Sequence, residues 1–197
     1  MATGKTWLEL TNAVLTRLRE PTVTTVSSTT YTSLIGAFVN EVKREVEDAW
    51  DWNRLRSSID IVTVASSFSY TLTGSGKRFR VLDAFNKSQT SEMIQISTIE
   101  MDRLFLLGTA GSGPPIYYNF NGQSAGDPNL NVYPIPNAVQ TLRFNIVIPQ
   151  DDFSADATQL IVPEWPVILG AWGRAVSERG EDGQYVVIRT CHRRNVD

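Results

Sequence analysis

The spacing of apolar residues predicts two helices at the start of the chain. From Trp7 to Leu18 the apolar positions recur every three or four residues, and Pro21 ends the pattern. A second pattern runs from about Tyr31 to Trp50, and its apolar face carries Leu34, Ile35, Phe38, Val42, Val46, Ala49 and Trp50. The opposite face carries Asn40, Glu41, Lys43, Arg44, Glu47 and Asp48. This second helix is predicted to be the longest element, with one apolar and one charged face.

Beyond Arg56 the apolar period changes from 3.6 to 2, which predicts β-strands as far as Ile148. A short bridge at residues 65–67 predicts a hairpin between the first two apolar runs. One helical pattern, from Ile99 to Leu107, interrupts the strands. The last three runs, YYNFNG, LNVYPIP and LRFNIVIP, are separated by turn residues and predict a meander.

A third long helix is predicted from Glu164 to Arg179, after Pro163 and before Gly180. The apolar residues on one side of this helix are Trp165, Ile168, Leu169, Trp172 and Val176. Helices from both ends of a chain pack most simply with one another. We therefore predict an α+β fold in which a helical bundle, residues 1–54 and 158–180, carries an inserted antiparallel β-sandwich or barrel-like domain, residues 55–157. A C-terminal tail, residues 181–197, follows.

Two tryptophans, Trp50 and Trp52, lie where the helical period changes to the strand period. Large aromatic side chains are usually buried, and each removes about 150–250 Å² from water. We therefore predict a structural joint in which Trp50 closes the bundle core and Trp52 covers the first turn of the β domain. An exposed patch that binds a partner is the alternative.

Composition narrows the class of protein. The 197 residues are 42% apolar and 20% charged, which is typical of a globular protein with one sizeable core. The net charge of −3 provides no overall attraction to DNA phosphates. The N-terminal residues lack the basic and then apolar order of a signal peptide, so we expect the chain to fold inside a cell. The most apolar stretch, residues 160–172, is too short to cross a membrane.

One glycine-rich stretch, Gly74 to Lys77, is similar to the end of a P-loop but lacks its essential parts. Arg78 stands where the metal-binding hydroxyl is needed, and Thr71 stands where the first glycine is needed. The acidic segment from Asp151 to Asp156 lacks the turn glycine and the closing glutamate of a calcium loop. We therefore predict no nucleotide, cofactor or metal site.

The only thiol and the only imidazole, Cys191 and His192, are adjacent in the chain. Side chains of adjacent residues tend to point apart, which disfavours a catalytic dyad. No other pattern indicates convergent acid and base groups. We predict no catalytic residues and expect that the protein is not an enzyme.

The order of elements resembles that of the head-to-tail adaptor proteins of tailed bacteriophages, which include the tail tubular and gp4-like connector proteins. The residues that carry the resemblance are AWDW at the end of the second helix and VPEWPVILGAWGRAVSERGEDG near the C-terminus. The resemblance implies a structural virion protein, made in the host cytoplasm, that forms a homo-oligomeric ring, as a dodecamer. The ring joins the portal protein to the tail nozzle or tail tube and continues the DNA channel.

The resemblance also implies which residues make the contacts. The helix from Glu164 to Arg179 matches the C-terminal helix of the family, and residues 181–197 occupy the place of its portal-docking extension. Portal-docking candidates are therefore Glu164, Trp165, Trp172, Arg189, His192, Arg193 and Arg194. Ring-interface candidates on the charged face of the second helix are Glu41, Lys43, Arg44 and Glu47, and a solvated helix face is the alternative. A mildly acidic wall would let DNA pass without specific binding.

Two other functions remain open. A carbohydrate-binding or receptor-binding β module of a phage tail would use Tyr117, Tyr118, Phe120 and Tyr133 as a platform for sugar rings. Such a module does not need helices at both ends. A small hydrolase would need a cluster of acid and base groups that the sequence does not indicate. We predict the adaptor.

Overall fold

The computed structural model describes residues 4–107 and 109–180 of the chain, which divides into two compact units. The helical unit comprises Met1–Arg54 and Gln150–Asp197, and the β unit comprises Leu55–Pro149. The helices are α1 (Trp7–Arg17), α2 (Thr30–Ala49), α3 (Thr98–Leu106) and α4 (Glu164–Glu178). The strands are β1 (Arg56–Val62), β2 (Ser69–Thr71), β3 (Arg80–Asn86), β4 (Ser91–Glu92), β5 (Ile94–Gln95), β6 (Tyr117–Ser124), β7 (Asp127–Tyr133) and β8 (Thr141–Val147). The prediction of an α+β fold with a β-sandwich is confirmed.

Helices α1, α2 and α4 pack together in the helical unit. The N-cap residues Thr6 and Thr29 begin α1 and α2 with side-chain hydrogen bonds to the third backbone amide of each helix. Side chains from all three helices form the core, among them Leu10, Val14, Leu15, Ile35, Val39, Val42, Val167, Ile168, Ala171 and Ala175. The segment 150–157, expected in the β domain, belongs to the helical unit.

Glycines let the three helices approach closely. A Cβ atom on Gly170 of α4 would lie 2.5 Å from Val42 Cγ1 of α2, and one on Gly36 of α2 would lie 2.5 Å from Val26 Cγ1. The indole nitrogen of Trp7 donates to Gly36 O at 3.2 Å. The buried residues of α4 are Val167, Ile168, Ala171, Ala175 and Val176, so the helix packs on the core with aliphatic side chains.

Three large apolar side chains of the helical unit lie on its surface. Trp50 is 67% exposed, Trp165 is 58% exposed and Leu169 is 43% exposed. The prediction that Trp50 closes the bundle core is therefore wrong. Of the apolar residues predicted on one side of the last helix, Ile168 and Val176 are buried.

The β unit is a sandwich of two four-stranded sheets. The first sheet has the strand order β1-β8-β3-β4, and the second has the order β2-β7-β6-β5. The predicted hairpin is wrong, because β1 pairs with β8 and β2 pairs with β7. The predicted meander is correct only for β6 and β7, since β8 lies in the other sheet. Ser67 N donates to Val64 O at 3.2 Å, so residues 64–67 form a turn, and this turn leads from β1 of the first sheet to β2 of the second.

Alternate residues of each strand fill the space between the two sheets. The core of the sandwich comprises Ile61, Leu72, Ala84, Met93, Tyr118, Leu130, Val132, Leu142, Phe144 and Ile146. Strand β8, which is central in the first sheet, contributes Leu142, Phe144 and Ile146, and each is completely buried. Their neighbours Arg143 and Asn145 therefore face outward, as the period of two requires.

The close approach of α4 to α2 generates a stability prediction. Gly170→Ala should lower the free energy of unfolding by about 1 kcal/mol, because overpacking costs about 1–3 kcal/mol and the higher helix propensity of alanine offsets part of it. Urea denaturation measures the change. The double variant Gly170→Ala and Val42→Ala should lose less free energy of unfolding than the two single variants lose in sum. A more stable Gly170→Ala variant would contradict the close approach.

Candidate functional site

A row of polar side chains on α2 holds the segment that begins at residue 150. Asn40 Nδ2 donates to Phe153 O at 3.1 Å, and Asn40 Oδ1 accepts from Phe153 N at 2.9 Å. Lys43 Nζ donates to the carbonyl oxygens of Gln150 and Asp151, both at 2.7 Å. The backbone of this segment is therefore bound by side chains of α2. These bonds explain why residues 150–153 belong to the helical unit.

Lys43 and Glu47 form an ion pair that is completely buried. Lys43 Nζ lies 3.6 Å from Glu47 Oε1, and both side chains have no exposed surface. Glu47 Oε1 also accepts from Gln150 N at 3.3 Å, and Lys43 Nζ lies 5.0 Å from the centroid of the Phe153 ring. Buried charges are stable only when they are paired and hydrogen-bonded. The placement of Lys43 and Glu47 on a charged surface is therefore wrong, and neither side chain is accessible to a neighbouring subunit.

The other two ring-interface candidates, Glu41 and Arg44, lie at the surface. Arg44 Nε donates to Asp152 Oδ1 at 2.8 Å. Glu41 pairs with Arg174 of α4, and Arg174 Nη2 also lies 2.5 Å from Glu45 Oε1. The exposed side of α2 and α4 thus carries ion pairs of both signs. Its role in a ring interface stays a prediction.

The portal-docking candidates of α4 lie at different depths. Glu164 Oε1 lies 3.1 Å from Lys5 Nζ, and the exposed ring of Trp165 has Arg17 Cζ 5.3 Å from its centroid. Trp172 is half-buried. The structure therefore places Glu164 and Trp165 together on the surface where α4 begins. The remaining candidates, Arg189, His192, Arg193 and Arg194, lie outside the described residues.

The end of α4 is held by an arginine that the sequence patterns did not single out. Arg179 Nη2 donates to Glu20 Oε1 at 2.6 Å, and Arg179 Cζ lies 4.8 Å from the centroid of the Tyr31 ring. The hydrogen bond to Glu20 raises the pKa of Arg179 further above its usual range. Arg179 therefore binds the C-terminal end of α4 to the connection between α1 and α2.

A cleft of about 430 Å³ lies in the helical unit beside the end of α2. Its walls are formed by Trp50, Trp52, Asn53, Arg54, Ile161, Val162 and Pro163. The indole nitrogen of Trp52 donates to Val46 O at 2.7 Å, so Trp52 satisfies a carbonyl in the last turn of α2. The part of the predicted joint in which Trp52 covers the first turn of the β domain stays a prediction.

Polar side chains form cross-strand rows on the outer face of the first sheet. Asp60 of β1 accepts from Arg143 Nε at 2.8 Å and from Arg143 Nη2 at 3.1 Å, and Lys87 Nζ lies 3.1 Å from its Oδ2 atom. The hydrogen bond from Arg143 lowers the pKa of Asp60 from 3.8 to about 2. In the next row Asn145 contacts Ser58 and Asp83 through its side-chain amide, at 2.5 Å each.

The stretches that were compared with ligand-binding motifs serve structural roles. The backbone amides of Gly74 and Gly76 donate to the two carboxylate oxygens of Asp127 at 3.1 and 2.9 Å, so the chain itself supplies the anion. In the acidic segment, Asp156 Oδ1 accepts from Val26 N at 3.2 Å. Within residues 4–107 and 109–180, no three His, Cys, Asp or Glu side chains form a group that could hold a metal ion.

The four aromatic residues of the alternative sugar platform do not share a surface. Tyr118 lies in the sandwich core, where its ring contacts Phe144 edge-on with centroids 5.3 Å apart. Phe120 packs against the same core. Tyr117 and Tyr133 are the half-buried members of the set. The prediction of a stacking platform from these residues is therefore wrong, because alternate positions of β6 face opposite sides of the sheet.

The described surfaces of the protein carry prominent ion pairs and exposed apolar side chains. Comparison with known proteins identifies its family. The chain matches the family described as SU10 adaptor protein over residues 5–185, and it belongs to that family. No curated protein matches it. Family membership supports a phage adaptor with a structural role as a virion component. The helices of the described residues include none with the length and apolar character needed to span a membrane.

The buried ion pair generates a stability prediction. Lys43→Ala should lower the free energy of unfolding by about 3–5 kcal/mol, because it leaves the Glu47 carboxylate buried without its cation. Arg44→Ala is the matched control on the next residue of α2, and it removes an exposed ion pair worth about 0–1 kcal/mol. Urea denaturation of both variants measures the difference. Equal losses for the two variants would contradict a structural role for the buried pair.

The lowered pKa of Asp60 generates a pH prediction. Because this pKa is about 2 in the folded chain and 3.8 is its ordinary value, the stabilisation is complete above pH 3.8 and is lost as the pH falls through 2. Asp60→Asn should therefore lower the melting temperature near neutral pH and have little effect at a pH below 2. Asp102→Asn, on an exposed position of α3, is the control. A constant difference across this pH range would contradict the predicted linkage.

Proposed function

We propose that the protein is a head-to-tail adaptor that forms a ring between the portal protein and the tail nozzle or tail tube and continues the DNA channel. Membership of the adaptor family supports the class of function. The observation that carries the proposal is the exposed apolar surface on α4, where Trp165 is 58% exposed and Leu169 is 43% exposed. An exposed tryptophan beside charged residues is typical of a protein interface.

Portal docking is assigned to the side of α4 that carries Glu164, Trp165 and Trp172, together with Arg189, His192, Arg193 and Arg194 of the tail. Tryptophan and arginine are the residues that most often dominate the energy of an interface. Arg17 lies over the ring of Trp165, so a partner that covers this ring meets a cation as well as an apolar face.

The ring contact requires two different surfaces, because a closed ring is built from heterologous interfaces. Glu41 and Arg44 remain candidates for one of these surfaces, and their neighbours Glu45 and Arg174 belong to the same network of ion pairs. Mixed charges of this kind determine orientation and partner choice more than affinity. The number of subunits, twelve, comes from the resemblance to dodecameric adaptors.

The role of the ring as a DNA conduit agrees with the charge of the chain. A net charge of −3 does not favour attraction of phosphates along a channel wall. The proposed protein acts by binding other virion proteins, so the proposal requires no catalysis. The alternative, a carbohydrate-binding β module, loses its main argument because Tyr118 and Phe120 face the sandwich core.

Light scattering tests the adaptor function. The purified protein should have the mass of a small species alone and should form a ring-sized complex when mixed with the portal protein of its own virion. Trp165→Ala should weaken the binding to the portal roughly 30-fold, the effect of a residue that contributes about 2 kcal/mol. Val139→Ala removes an exposed apolar side chain of the β unit and should leave the binding unchanged.

A chain that ends at Gly180 separates the two parts of the docking surface. It should keep its melting temperature, because it retains all the helices and strands that the structure describes, and it should lose portal binding. Normal binding by this chain would remove the tail from the docking surface. A wild-type protein that stays small with the portal and is retained on a polysaccharide column would contradict the adaptor function.

A further inference from the structure

Helix α3 covers the outer face of the second sheet and presents apolar side chains away from it. Met101 is buried, and the ring of Phe105 packs against Phe68 and Tyr133 with centroids 4.9 and 5.3 Å apart. Tyr133 lies on the outer face of the sheet because its neighbour Val132 is in the sandwich core. On the side of α3 that is turned outward, the exposed apolar residues are Ile99, Leu106 and Leu107.

The outer face of the first sheet is the opposite side of the same sandwich. It contains a groove of about 380 Å³ lined by Arg56, Ser57, Ser58, Leu82, Asp83 and Asn145. Leu82 lies at the bulge between Val81 and Asp83 and is 37% exposed. Val62 and Phe85 are further exposed apolar side chains on this face. One side of the β unit therefore carries a helix with exposed apolar side chains, and the other contains a mostly polar groove with Leu82 in its lining and with Val62 and Phe85 exposed on the same face.

The two faces also differ in charge. The outer face of the first sheet has an excess of one positive charge, from the basic residues Arg56, Arg80, Lys87 and Arg143 and the acidic residues Asp60, Asp83 and Glu92. Helix α3 has an excess of one negative charge, from Glu100, Asp102 and Arg103. Opposite charge favours contact between the two faces, and like charge disfavours contact of α3 with a second α3.

We infer that these two faces bind each other between copies of this chain, with α3 of one subunit against the outer face of the first sheet of the next. The occupant of the α3 face is thus a second copy. Each face lacks a complement within its own β unit, since the two lie on opposite sides of the sandwich. Contact of one face with the opposite face of the next subunit is heterologous, which is the type of contact that closes a ring.

This inference rests on the proposed ring and names the surface that builds it. It also explains why large apolar side chains are exposed on a helix with a proper N-cap. Ser97 begins α3 with a capping box to Glu100, so the helix is formed locally and displays Leu106 and Leu107 at its last turn. Exposed leucines of this kind mark an interaction surface.

Chemical cross-linking between engineered cysteines tests the contact. In a Cys191→Ser background, Leu106→Cys places one thiol on α3 and Leu82→Cys places one in the groove. Both positions are at the surface, so each variant should keep the wild-type melting temperature. The proteins are assembled with the portal protein of the same virion, treated with a flexible bis-maleimide and separated on a denaturing gel.

The double variant should produce a ladder of covalent multimers, because every subunit carries both halves of the contact. Each single variant should remain monomeric on the gel, and an equal mixture of the two single variants should produce dimers and no larger species. A chain with Leu106→Cys and Val139→Cys is the matched control and should produce no ladder. Position 139 lies in the loop before β8 and is 70% exposed.

Other outcomes separate this inference from the adaptor function. Dimers from Leu106→Cys alone would show that α3 contacts α3, which would overturn the inference. A ring-sized portal complex without a ladder from the double variant would show that the ring uses other surfaces, so the inference would fail and the adaptor function would stand. Failure of the uncross-linked protein to assemble with the portal would overturn both.

Discussion

The helical unit depends on the burial of one ion pair. Lys43 and Glu47 are removed from water on α2, so their charges must be satisfied by one another and by backbone groups. The carbonyls of Gln150 and Asp151 meet that requirement, and Asn40 binds Phe153 one turn earlier on the helix. A segment without regular structure is therefore bound to α2 through its backbone groups. Any rearrangement of residues 150–153 would leave a buried charge without its partners.

Close helix packing determines which side chains remain for partners. Gly170 leaves no room for a methyl group against Val42, and the buried residues of α4 are Val167, Ile168, Ala171, Ala175 and Val176. Trp165 lies outside this packed surface and is exposed. The β unit separates its side chains in the same way. Branched and aromatic side chains at alternate strand positions fill the space between the sheets, and the ion-paired rows lie on the outer face. Both units thus keep well-packed cores and large surfaces that suit an adaptor.

The sequence predicted most of the elements and few of their partners. Apolar spacing located α1, α2, α4 and nearly all the long strands, because the period of a helix or strand depends only on local geometry. Strand pairing was predicted incorrectly for β1 and β2, because a short polar bridge can either turn back or cross between sheets. The candidate surfaces were predicted in part: Glu164 and Trp165 do lie at the surface, whereas two of the four charged residues chosen on α2 are buried.

The sequence by itself determined the fold class and the order of helices and strands, since these follow from periodicity and residue type, and its segments AWDW and VPEWPVILGAWGRAVSERGEDG carry the resemblance to phage adaptors. Only the tertiary structure decided that Lys43 and Glu47 lie inside and that Trp50 and Trp165 lie outside. The reason is that burial depends on what a neighbouring segment offers. Two carbonyls far along the chain make a buried lysine stable, and Val42 of the facing helix fills the space beside Gly170 of α4.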